Sequence, residues 1–171
     1  MQRIAVDMDG VLADVTEQYF RYHEKDFGKR KSTEEIAGIR ELDAFPNVKN
    51  YLFTKGFFRT APPVKDSREI LAELNNQYEI FVVSAAMEFP QSLSEKQEWL
   101  NEHFPFITWH QIVFCGLKSI IEADIMIDDH FKNLDLFKGT TLLFTQPHNI
   151  LTGEGRHKRV HSWKEIAAIL L

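Results

Sequence analysis

Five short apolar runs, each sharply bounded, constrain this chain more than any other feature. Residues 4–6 (Ile-Ala-Val) run into Asp7, and residues 79–84 (Glu-Ile-Phe-Val-Val-Ser) close on Ser84. Residues 112–114 precede Cys115, residues 124–127 end at Asp128, and residues 141–144 end at Phe144. All are of strand length and rich in Val, Ile, Leu or Phe, with little polar alternation, as in strands buried on both faces of a parallel sheet. Helical patterns separate most of them. Residues 67–78 place Ile70, Leu71 and Leu74 on one face. Ser92–Leu93–Ser94–Glu95 and Ser162–Trp163–Lys164–Glu165 have capping-box spacing, and they open predicted helices over 92–104 and from 162 onward. The β-α-β-α rhythm predicts an α/β fold, a doubly wound (Rossmann-like) parallel sheet of about five strands.

One stretch breaks the rhythm. Between the first strand and Pro62–Pro63 the chain has helical patterning but no convincing strand, a longer connection than a compact domain normally tolerates. We read residues 15–60 as a helical cap inserted after strand one, with residues 1–14 and 61–171 forming the core. The run Lys29–Arg30–Lys31 reads as a solvated loop, and so does Arg156–His157–Lys158–Arg159, with the alternative that the latter faces a substrate phosphate.

Composition removes several function classes. With 20 Lys and Arg against 25 Asp and Glu, the net charge is −5, which gives no general electrostatic reason to coat a nucleic-acid polymer. One cysteine excludes an intrachain disulfide framework and a Cys-based zinc knuckle. No run approaches the roughly 20 apolar residues a bilayer requires, so no membrane association is expected. Met1–Gly10 leads directly into a core strand without the pattern of a cleavable leader, so a cytoplasmic location is expected. The seven histidines show no zinc-protease spacing, and no G-x-S-x-G elbow or full dinucleotide fingerprint occurs.

The chemistry concentrates at strand ends. Asp7 and Asp9 follow the first run, with Gly10 allowing a tight exit, and Asp128–Asp129 follow the fourth. Open α/β sheets bind ligands beyond the carboxyl ends of their strands. Taken singly, these acids are ordinary turn or cap residues. Four carboxylates brought together would repel one another, and a hard, oxygen-seeking cation such as Mg2+ resolves the repulsion. Ser84 offers a hydroxyl and Lys118 a point charge, which together suit a phosphate group. The order acid pair, hydroxyl, lysine, acid pair is poorly explained by chance.

These residues resemble a known family. Asp7-Met8-Asp9-Gly10-Val11, Ser84, Lys118 and Ile127-Asp128-Asp129 look like the four signatures of the haloacid dehalogenase (HAD) superfamily of phosphotransferases. The longer run Val6 to Asp14 resembles the 5′(3′)-deoxyribonucleotidases within it, as do Gly56-Phe57-Phe58 before Pro62-Pro63, His148-Asn149, and Arg159-Val160-His161-Ser162-Trp163. The resemblance implies an Mg2+-dependent phosphomonoester hydrolase working through an aspartyl-phosphate. Asp7 would be the nucleophile and Asp9 the acid/base; Ser84 and Lys118 would bind phosphate. The cation would rest on Asp7, the Asp9 backbone carbonyl and Asp129, with Asp128 in support. A nucleoside monophosphate is the expected substrate, with another small metabolite phosphate, such as a sugar phosphate, as the alternative; a homodimer is one assembly the resemblance allows. A receiver-type phospho-acceptor module also uses acids, a hydroxyl and a lysine, but in a different motif order and without a cap.

Three departures concern the substrate. Val15 stands where family members offer phenylalanine, no aromatic pair occurs between Gly28 and Glu41, and Ala85 stands where a second hydroxyl would follow Ser84. Tyr51 and Phe57 are left to supply a stacking wall, or simply to fill the core of the cap.

Overall fold

The computed structural model describes all residues, 1–171. Its centre is a six-stranded sheet, parallel throughout, in the order β3-β2-β1-β4-β5-β6. The strands are β1 (Arg3–Asp7), β2 (Glu79–Ser84), β3 (Ile112–Phe114), β4 (Ile125–Asp128), β5 (Thr140–Phe144) and β6 (Lys158–Val160). Alternate residues face opposite sides. Ile4, Val6, Ile125, Ile127, Leu142 and Phe144 enter the larger core, whereas Ala5, Met126 and Leu143 enter a smaller one with Leu134 and Phe137. Both faces are buried, which explains why the sequence runs lack polar alternation.

The sixth strand corrects the sequence reading. Lys158–Val160 lies in a basic run read as a solvated loop, yet it pairs in parallel with β5. Arg156 donates to the carbonyls of Leu134, Asp135 and Phe137, and Arg159 to those of Asn149 and Thr152. These arginines cap carbonyls rather than face a ligand. A three-residue, charged edge strand carries almost no periodic signal.

The helices are α1 (Val15–Phe27), α2 (Glu41–Ala44), α3 (Val48–Phe53), α4 (Ser67–Leu74), α5 (Leu93–His103), α6 (Phe131–Leu134) and α7 (Trp163–Leu170). Asp14 caps α1 by accepting from the Glu17 N–H, and Gly28 ends it at φ 66°. The α4 helix stops at Leu74, short of the predicted Tyr78. Ser162 caps α7 as expected, but Ser92 makes no cap bond. Glu95, its expected capping partner, instead accepts the backbone N–H groups of Gly56 and Arg59. Arg30 is likewise not free: it pairs with Glu17 and Glu24.

Two features fix the neck of the inserted helices. Chain exit and return run side by side, with Asp14 N–H donating to Pro62 O and Val64 N–H to Leu12 O. Two buried indoles pin this crossing: Trp99 donates to Ala61 O at 2.7 Å, and Trp163 to Val11 O at 2.8 Å. No helix is long and apolar enough to cross a membrane.

Candidate active site

Strand order creates the site. The chain passes from β1 outward to β2 and β3, then returns to the other side of β1 with β4, so the crevice at the carboxyl ends opens beside β1. In register, Val6 pairs with Ile127 and Asp7 with Val83. Asp7, Asp128 and Ser84 therefore end adjacent strands, and a cavity of about 230 Å³ lies above them, lined by Asp7, Asp9, Ser84, Lys118 and Asp129. The predicted catalytic, phosphate and metal residues meet at one place.

Lys118 ties the floor together. Its Nζ is 2.6 Å from Asp7 Oδ1 and 2.6 Å from Asp128 Oδ2, and it is buried. Burial alone would lower its pKa, but Asp128 and Asp7 outweigh that and hold it well above the ordinary lysine value. Asp128 is fully engaged: Lys118 and the Asn133 amide reach Oδ2, and His130 N–H and the same amide reach Oδ1. These contacts fix its orientation and that of Lys118.

Asp7 and Asp129 differ. Asp7 Oδ1 accepts from Met8 N–H and pairs with Lys118, leaving its other oxygen toward the cavity. Asp129 Oδ1 is buried without any partner, and so is Asp9 Oδ1. Burial is the largest influence on Asp7 and raises its pKa well above normal; Lys118 opposes this, and Asp128, Asp129 and Asp9 add to it. Asp129 is pushed up to about 7 by burial and by Asp128. Carboxylate oxygens of Asp7, Asp128 and Asp129 lie within 4.8 Å of one another. Orphaned, crowded oxygen donors of this kind fit a divalent cation, with oxygen ligands suited to Mg2+ or Ca2+. Gly10 permits the crowding: at φ 81°, a Cβ there would lie 2.5 Å from Asp129 Oδ2.

Sequence reasoning missed Lys96. It is buried on α5, pairs with Asp9 and donates to Ser84 Oγ at 3.0 Å, with its ammonium over the Phe58 ring. A signal existed: Lys96 shares the helix face of Trp99 and Leu100, where a surface lysine has no place. A second omission is the Glu41–His148 pair. His148 Nδ1 is 2.8 Å from Glu41 Oε1, and its Nε2 is 3.0 Å from the Asp129 carbonyl. Burial opposes the charge on His148, but Glu41 and Asp129 raise its pKa to about 9. The pair joins the inserted helices to the acidic cluster.

Tyr51 and Phe57 do not line the cavity. Tyr51 is buried and donates to Asp26 Oδ2 at 2.8 Å, while Phe57 packs between Tyr19, Tyr22 and Phe58. Phe58, Phe89, Val48, Leu52 and Val15 form the apolar wall instead.

A parallel sheet with helices inserted after its first strand and acidic pairs at the switch point is the HAD-type hydrolase fold. Accordingly, a haloacid dehalogenase-like hydrolase from Streptococcus pneumoniae superposes with TM-score 0.65 at 14% identity, covering 100% of this chain and 99% of that one. The HAD-hydrolase YfnB from Bacillus subtilis, solved bound to magnesium, gives TM-score 0.61 at 12% identity, with 99% and 98% covered. Residues 1–171 match the family described as 5′ nucleotidase, deoxy (Pyrimidine), cytosolic type C protein. The 5′(3′)-deoxyribonucleotidase of Bacillus subtilis (strain 168) is 39% identical over 174 residues, covering 98% of each chain. The chain belongs to this 5′(3′)-deoxyribonucleotidase family of HAD phosphatases.

Proposed function

We propose that this protein hydrolyses deoxynucleoside monophosphates, with Asp7 as nucleophile, Asp9 as acid/base and residues 15–60 as the substrate-covering cap. The carrying observation is the cluster at the sheet's switch point: Asp7 held by Lys118, Asp9 beside Lys96 and Ser84, and Asp129 with an unpartnered oxygen. Lys118, Lys96 and Ser84 bind the phosphoryl oxygens. The free Asp7 oxygen attacks phosphorus as the P–O bond to the sugar breaks, and Asp9 gives its proton to the departing alkoxide. Asp9 then takes a proton from water, which attacks the phospho-aspartate and restores Asp7. Asp7, the Asp9 carbonyl and Asp129 would hold Mg2+, which when bound offsets negative charge between nucleophile and phosphate. Asp128 acts by positioning Lys118.

The apolar wall receives the base, and the small cavity suits a monophosphate rather than a polymer. The family description supports a cytosolic location. The test is phosphate release from a panel of nucleoside monophosphates and sugar phosphates, with Mg2+ and with excess EDTA, for wild type and Asp7→Asn. Nucleotide turnover that needs both the cation and Asp7 is expected. Equal turnover by Asp7→Asn would refute the mechanism, and sugar phosphates strongly preferred over every nucleotide would refute the substrate class.

A further inference from the structure

Among the cavity-lining groups that the hydrolytic chemistry does not employ is the Tyr19 phenol. Tyr19 lies one turn beyond Val15 on α1, so both side chains share the helix face that lines the cavity, which Asp9 also lines. Its ring is held firmly, stacked on Phe45 at 5.2 Å and 23° and tilted against Phe57 at 5.2 Å. Tyr51 and Tyr78 donate their hydroxyls to Asp26 and to the Leu170 carbonyl. The Tyr19 hydroxyl, on a residue only 7% exposed, has no partner in the protein. Tyr19 lines the cavity together with Glu41, Asp9, Asp129 and Glu88. Burial first, and these carboxylates after it, raise its pKa far above the ordinary phenol value, so it is a neutral hydrogen-bonding group and not an acid or base.

A rigidly held hydroxyl on a cavity-lining residue, without a hydrogen bond inside the protein, is free to bond a ligand atom. Tyr19 and Asp9 line the same cavity, and Asp9 attends the leaving oxygen. The alcohol portion of the substrate, on the Asp9 side of the cavity, would supply that atom. We propose that the Tyr19 hydroxyl is a specificity-determining contact. It hydrogen-bonds an oxygen of the substrate's sugar and so favours sugar-bearing phosphomonoesters over esters of alcohols lacking that oxygen. This rests on the nucleotidase reading, because it requires a sugar next to the phosphate.

The experiment compares kcat/KM for a deoxynucleoside 5′-monophosphate and for p-nitrophenyl phosphate in wild type, Tyr19→Phe and Tyr22→Phe. Tyr22 is on the same helix but does not line the cavity. In Tyr19→Phe the nucleotide-to-nitrophenyl ratio should fall about 3- to 10-fold, the range a neutral hydrogen bond supplies. The ratio should hold in Tyr22→Phe. Thermal stability of Tyr19→Phe should not drop, because the lost hydroxyl had no protein partner; a structural role would lower it. An unchanged ratio, or a parallel loss on both substrates, overturns the proposal while leaving the nucleotidase reading intact. Wild type that cleaves p-nitrophenyl phosphate but no nucleotide overturns both.

Discussion

Replacing Gly10 by alanine perturbs the proposed metal-binding corner from behind, without replacing any charged group. Two costs follow from the geometry. Gly10 has φ 81°, where an L-residue is disfavoured by about 1–2 kcal/mol. For a chain of this length that is a fall of about 2–8 °C in thermal midpoint. The new Cβ would also lie 2.5 Å from Asp129 Oδ2 and 3.1 Å from its Cγ. Reaching ordinary contact requires the carboxylate to retreat by roughly 0.9 Å, whereas metal–ligand distances tolerate only about 0.2 Å. Gly28→Ala is the matched control: Gly28 also has positive φ, 66°, but nothing lies within 4 Å of its Cβ position. Both variants should lose a comparable few degrees in EDTA. Only Gly10→Ala should raise the Mg2+ concentration for half-maximal activity, by on the order of 10-fold, equivalent to about 1.4 kcal/mol. The assay is a Mg2+ titration of phosphate release beside melting curves with and without metal. A Mg2+ requirement unchanged in Gly10→Ala would refute the placement of Asp129 as a ligand against Gly10.

Lys96→Met removes a buried cation held between Asp9 and Ser84 and should lower kcat/KM on the order of 10²–10³, as for other preorganised charge-stabilising donors; near-wild-type turnover would exclude phosphate contact. His148 is raised from 6.5 to about 9, so its contribution to stability, up to about 3 kcal/mol, is complete below pH 6.5 and lost as pH rises through 9. In EDTA, the melting difference between wild type and His148→Gln should therefore shrink across that window, and a constant difference from pH 6 to 10 would contradict the Glu41 pairing. Phe89→Ala should weaken nucleotide kcat/KM by roughly the 1–3 kcal/mol of a lost stacking surface. Tyr51→Ala should mainly reduce stability, which separate rate and melting measurements will distinguish.

Asp7, Asp9, Ser84, Lys118 and Asp129 were legible in the sequence because each sits at or just after the end of a short apolar run, and strand ends are marked by local pattern. The insertion was legible for a similar local reason, as a helical stretch too long for a loop. Other features depend on which elements become neighbours, a matter of long-range packing. That β4 lies beside β1 decides that the two acid pairs meet at one corner of the sheet. Lys96 joins the site only because α5 turns that face toward Asp9, and Glu41 only because α2 docks on His148. Glu95 left its capping position because two backbone N–H groups of the insertion, at Gly56 and Arg59, came within reach. The same dependence chose Phe58 and Phe89 over Phe57 and Tyr51 as the pocket wall. Composition and spacing mark an aromatic as apolar, but the packing of a helix against its neighbours decides whether the ring faces the core or a ligand.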